Sequence, residues 1–463
     1  MPHEINSIAR YGPTLKEYLL SKQLNRLPSV NSIRRAIRTL SDPEKVTCET
    51  FETILYLGDH SIYTHLPILL SEDARAALPA CIGLIETYCR GRRLLLDRAY
   101  GFLCLQVLSL LVQYTLLSDH GYDKLLFSIT GIPDEPIVEI FNGSSMKTLV
   151  PLLRSHDSNK DIEVTNGFGW HIDRKTGKDV CFLQIGGCST TQVQSLVQLI
   201  WASRAQLLLA AQWSTVHFPG LAGLLCWIWS GIARKFGTSQ PTPISKPIWV
   251  QFADLIIRYS LQANEIEGTL LKLAVLRSPQ FTKTALFNLS FDSAVNDQDS
   301  ALISRYTLGQ LQICSNLPMA VILFCFAFPN IKSDLTIHKL FTTYLGVFWL
   351  GAGTRKDPNF FDEKLFVYCQ SFVHALTSPC YEPVSRVAKY HPTALTKLLD
   401  LIGEELYEVL GAAILMPLIS PGIKPDAYSK CRISFFEWTR LTKLYQRDLS
   451  NTFTGISSHS PRL

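Results

Sequence analysis

Three stretches of this chain carry no Asp, Glu, Lys or Arg: residues 99–118, 205–233 and 306–331. A helix of about twenty apolar residues either crosses a bilayer or is wrapped by other protein on nearly every side. Such runs commit the chain to buried helices. Each run is diluted, by Gln106 and Gln113 in the first, by Gln206, Gln212, His217 and Pro219 in the second, and by Gln310, Gln312, Asn316 and Pro318 in the third. Polar groups are expensive in hydrocarbon. The runs are therefore expected to form the core of a large helical protein. The alternative is an integral or membrane-associated protein with Trp227, Trp229 and Trp349 as interfacial anchors.

The rest of the sequence continues the helical pattern. Short helices are expected over Thr14 to Lys22 and Ser32 to Leu40, then around Phe51 to Leu57, over Ala74 to Arg90 and over Arg92 to Leu117. After the middle of the chain, apolar residues at helical spacing recur over Trp249 to Ala263, Ser300 to Ile313, Met319 to Phe328 and Thr393 to Met416. In the last of these, Leu395, Leu398, Leu399, Ile402 and Leu406 make one stripe, and Lys397, Asp400, Glu404 and Glu408 the opposite one. Successive helices with breaks between them resemble stacked helical pairs, so a solenoid-like array is expected.

One stretch departs from this pattern. Trp170 to Ile172 and Val180 to Ile185 are short β-branched and aromatic runs around a polar turn with Gly177, and they predict a β-hairpin over about 168–186. Gly186 and Gly187 end it, and Ser189 with Gln192 fits a capping box opening a long apolar helix toward Trp213. Cys188 falls between the Gly-Gly break and that helix start, where unpaired backbone N–H groups favour a thiolate. With His171 and Asp173 on the partner strand, a Cys–His–Asp nucleophile set is conceivable. The plainer reading makes Cys188 a small residue packed at a tight turn, and it is preferred, because such a set is recognised only by its geometry.

Other chemistry is thinner still. His60 and His65 miss the four-residue spacing of two ligands on one helical face, and Cys369, His374 and Cys380 lack a fourth ligand for a structural zinc. No phosphate-binding glycine loop occurs, so no metal or cofactor is implied. The net charge of +5 over 463 residues is mild. The arginine clusters at Arg34, Arg35 and Arg38 and at Arg90, Arg92 and Arg93 read as solvated helix faces, and no nucleic-acid partner is expected. Twelve cysteines are scattered, several inside apolar runs, with no Cys-x-x-Cys, and residues 1–10 lack the apolar core of a signal peptide. A reducing intracellular compartment follows as the expectation, with an intracellular membrane as the alternative.

The expected organisation is all-α. An N-terminal helical region covers 1–155, a polar loop and hairpin 156–188, and buried apolar helices 189–236. A linker over 237–247 joins them to a C-terminal helical region over 248–449, with a disordered tail over 450–463. The expected function is that of a non-catalytic scaffold for a protein partner. Behind it stand a membrane-associated or membrane-spanning protein and, third, a thiol-dependent enzyme using Cys188.

Overall fold

The computed structural model describes residues 10–21, 28–58, 68–69, 71–90, 92–119, 170–172, 179–181, 188, 190–213, 221–225, 227–228, 246–263, 267–268, 271, 294–313 and 317–327, with a few single positions between 330 and 347. The expected helix over Thr393 to Met416, the tail and most of the expected linker lie outside the described residues. The chain divides into two compact units, Met1–Ala285 with Ala294–Ile303, and Leu286–Ser293 with Ser304–Leu463.

The protein is all-α. Its first unit opens with α1 (Leu15–Ser21), α2 (Val30–Thr39) and α3 (Cys48–Leu55). Ser29 caps α2 by accepting from the Ser32 amide at 3.2 Å. Ile33, Ala36 and Ile37, at helical spacing, are buried, and Arg34, Arg35 and Arg38 face out. Arg38 then meets Asp73 at 2.7 Å, an exposed pair of small energetic weight. The helix α4 (Glu72–Cys89) starts on Ser71, whose hydroxyl accepts from the Ala74 amide at 3.3 Å, with Glu72 and Asp73 in the first turn complementing the helix dipole.

The helix α5 (Ala99–Asp119) holds the first charge-free run. Over residues 99–112 every side chain is buried except Gln106, which is half-buried. It packs against α1, α3 and α4, so protein takes the place that lipid would. The expected start at Arg92 is seven residues too early. Arg92 has φ 60°, a left-handed backbone that stops helix growth, and the Leu94 amide donates to the Asp97 carboxylate at 3.0 Å. The connection instead pairs with the N-terminal segment: Ala99 N donates to the Pro13 carbonyl at 3.0 Å, and Leu15 N to the Asp97 carbonyl at 3.1 Å. The Arg98 guanidinium adds a bond to the Gly12 carbonyl at 3.0 Å. Gly12 sits at φ +71°, which its missing side chain permits.

Two three-residue strands follow, β1 (Trp170–Ile172) and β2 (Asp179–Cys181), antiparallel with His171 opposite Val180. The long helix expected toward Trp213 is two helices, α6 (Thr190–Ala202) and α7 (Arg204–Trp213), parted at the buried Ser203. The helix α8 (Lys246–Ser260) begins two residues inside the expected linker, and α9 (Asp297–Ile313) follows.

Packing in the first unit departs from the expected solenoid-like array. In such an array each repeat touches only its neighbours in sequence. Here α4 packs on α6, α6 on α8, α8 on α7, and α7 returns to α1 at the start of the chain. Helices nearly apolar all round need cover on several sides, and nearest-neighbour stacking leaves faces open. In the second unit, α10 (Leu317–Ala327) is closed by Phe324 against Tyr344, their rings 4.8 Å apart.

Candidate functional site

The residues that carry the sharpest sequence hypothesis are placed unequally. Cys188 is 1% exposed and lies two residues before α6. His171 belongs to β1, and Asp173 and the capping residue Ser189 lie outside the described residues. A thiol closed off from water behaves as a small core hydrophobe. The histidines at 60 and 65 and the Cys369, His374 and Cys380 group also lie outside the described residues. Among the described residues no group of three or more His, Cys, Asp or Glu is placed to hold a metal ion.

The most concentrated chemistry lies elsewhere in the first unit, in a cluster that the sequence analysis missed. Arg258 is 0% exposed; its Nε donates to Asp254 Oδ1 at 2.8 Å and its Nη1 to Asp299 Oδ1 at 2.7 Å. Trp201 Nε1 donates to the second Asp254 oxygen at 2.8 Å, and the Val295 amide to the second Asp299 oxygen at 2.9 Å. Each of the four carboxylate oxygens therefore has a donor. Arg204 stands 3.6 Å from Asp254 and stacks its guanidinium 3.9 Å from the Trp201 ring centroid. Two carboxylates and two guanidiniums cancel in charge, which lowers the cost of burying them.

Local structure explains how these groups meet. Asp254 and Arg258 are four residues apart, on one face of α8. Asn296 accepts from the Asp299 amide at 2.9 Å and so caps α9, which turns the Asp299 carboxylate into a fixed feature of the first turn. Burial works against the Arg258 charge, but Asp254 and Asp299 outweigh it and hold the guanidinium proton more tightly than usual. For Arg204 burial prevails over Asp254, and the shift is downward. Nearby, the Tyr259 hydroxyl donates to Glu267 at 2.6 Å, and burial followed by that carboxylate raises it well above the ordinary tyrosine range. Asp254, Arg258 and Asp299 are buried and paired, with Trp201 and Arg204 half-buried at the edge, so the cluster's chemistry is positional: it ties α6, α7, α8 and the first turn of α9 to one another.

A sequence signal for part of it exists. In Phe252-Ala-Asp-Leu-Ile-Ile-Arg258 an acid and a base four apart interrupt an otherwise apolar helix. Opposite charges on the buried face of one helix must be each other's partners. Nothing in the sequence points to Trp201 or Asp299.

The charge-free runs are placed as follows. The first is α5, the second is divided between α7 and helical residues 221–225 and 227–228, and the third between α9 and α10. Among the described residues no helix is long and apolar enough to cross a membrane. The fold defines the class as all-α. No family model matches the chain, and no curated protein or solved structure matches it either.

Proposed function

We propose that the chain is a non-catalytic helical scaffold that engages a protein partner, with a β-hairpin over about 168–186 set among its helices. The carrying observation is the fully paired Asp254–Arg258–Asp299 cluster, with Trp201 and Arg204. A buried ionic cluster adds little net stability, and we read its role in this chain as fixing one arrangement of the elements that share it. A frame fixed in that way is what a preorganised recognition surface needs. The antiparallel register of β1 and β2 supports the hairpin. Among the described residues the exposed large apolar side chains, Leu20, Val295 and Ile313, are scattered rather than contiguous. The exposed arginines of α2 are the first partner contacts to examine.

The test is fractionation of the full chain in cells, followed by photo-crosslinking from positions 34 and 35. A carbonate-extractable helical species that crosslinks to one protein, in a complex surviving size exclusion, supports the scaffold. Retention in carbonate-washed membranes overturns it in favour of membrane insertion. Rapid stoichiometric alkylation of Cys188 in the native protein, without a crosslinked partner, overturns it in favour of the thiol enzyme.

A further inference from the structure

Four groups gather on the ring of Tyr11, where residues 10–14 meet the connection between α4 and α5. The rings of Tyr88 and Tyr100 stand 5.1 and 5.2 Å away, and the guanidinium carbons of Arg93 and Arg10 stand 4.7 and 5.4 Å away. Arg93 also lies 5.9 Å from the Tyr88 ring. The two cations differ in how they are satisfied. Arg10 donates to the Pro43 carbonyl at 3.0 Å and pairs with Glu44 at 3.3 Å. Arg93, half-buried, has no hydrogen bond or ion pair among the described residues, and its contacts are the two rings.

Beside it, Tyr88 is 1% exposed, and among the described residues its hydroxyl has no hydrogen-bond partner and the buried Arg10 Nε has no acceptor. The other charged groups nearby are engaged. Asp97 accepts from the Leu94 amide at 3.0 Å, and Arg98 donates to the Gly12 carbonyl. Among the described residues the shortage is one-sided, with three donors around one ring and no hydrogen-bond acceptor for them. Native proteins seldom leave buried donors unmet, and the exceptions mark ions, ordered waters or function. The left-handed backbone at Arg92 is a second local oddity at the same corner.

We propose that this corner binds an oxyanion of the phosphate or carboxylate class, held by the Arg93 guanidinium, with the Tyr88 hydroxyl and Arg10 Nε as further donors. A planar guanidinium presents paired N–H groups that match two oxygens of such an anion. Stacking on Tyr11 and Tyr88 orients it without consuming those groups. In sequence, Arg90, Arg92 and Arg93 read alike as a solvated face; the structure leaves Arg90 and Arg92 exposed and sets Arg93 apart. The proposal is independent of the scaffold reading, since it concerns a small anion alone.

The experiment is thermal unfolding of the full chain in inorganic phosphate, acetate or chloride at matched ionic strength. Phosphate or acetate, but not chloride, raises the midpoint through preferential binding to the folded state. Arg93→Gln weakens the derived affinity by about tenfold or more. Arg93→Lys restores it only in part, Tyr88→Phe weakens it less, and Arg305→Gln, at an exposed arginine of α9, leaves it unchanged. A response to one anion but not the other assigns the class. Equal midpoints in all three salts, or an unchanged response in Arg93→Gln, overturn the proposal and leave the corner an aromatic packing motif. Tyr88→Phe also separates the two outcomes: a midpoint raised in every salt alike means that the hydroxyl is merely unsatisfied.

Discussion

Arg258 and Asp254 stand one helical turn apart on α8, joined at 2.8 Å, and neither is more than 2% exposed. Asp299 closes the other side of the same guanidinium at 2.7 Å. Removing the cation would strand two carboxylates away from water. Arg258→Ala is therefore expected to cost about 3–5 kcal/mol. Arg258→Lys should recover little, because an ammonium cannot meet both carboxylates in the guanidinium's planar geometry. Urea unfolding of both variants checks this, and a loss below about 1 kcal/mol would show the cluster to be looser than its distances imply.

Gly101 and Gly83 give a matched pair of opposite sign. A Cβ at Gly101 would run into the Leu95 carbonyl, a backbone atom that cannot step aside, whereas a Cβ at Gly83 on α4 meets nothing within 4 Å. Gly101→Ala should destabilise by about 2 kcal/mol or more. Gly83→Ala should stabilise by about 0.4–1 kcal/mol, by restricting the unfolded chain. Thermal melts followed by circular dichroism read both.

Alkaline pH should weaken the first unit before it reaches the ordinary tyrosine range. Burial, with Glu52 adding to it, pushes the Cys48 thiol from 9.0 to about 11. Burial with Asp97 does the same for Cys89, also to about 11. Between those values the unfolded chain has lost thiol protons that the folded chain still holds. Folding stability from these groups is thus full below about pH 9 and is lost as pH rises toward about 11. Tyr18, Tyr88 and Tyr100, each raised chiefly by burial, extend the loss upward. Urea midpoints measured from about pH 8 to about pH 11 should fall, and Cys48→Ser with Cys89→Ser should flatten the first part of the fall. A flat wild-type profile would refute the assignment.

Ser29 and Ser71 each hold a helix start through one side-chain bond, at 3.2 and 3.3 Å. Ser29→Ala and Ser71→Ala should each cost about 1 kcal/mol, and the pair should add. Chemical denaturation of the single and double variants tests this. A shortfall in the double would mean that α2 and α4, which pack on each other, share the loss.

Helix positions were legible where the period and the breakers agreed. The expected helices over Ser32 to Leu40 and Trp249 to Ala263 match α2 and α8 to within a few residues, because apolar spacing reflects burial on one side. The start of α5 was misread, since Arg92 to Arg98 has helical composition. What stops the helix there is the left-handed backbone at Arg92 together with a pairing to Pro13 and Leu15, more than eighty residues away in the chain. The single long helix toward Trp213 was misread for a related reason: the break falls at Ser203, a buried residue whose neighbours have ordinary helix propensity.

The sequence by itself determined that this is an all-α chain with charge-free helices to bury, because period and missing charge are properties of residues near one another in the chain. The tertiary structure alone decided what covers those helices, why α7 returns to α1, and which charges are drawn inside. Asp299 and Trp201 reach the Asp254–Arg258 pair across long separations in sequence. Whether a charge can be buried depends on the partner that packing brings to it, and no local pattern encodes that partner.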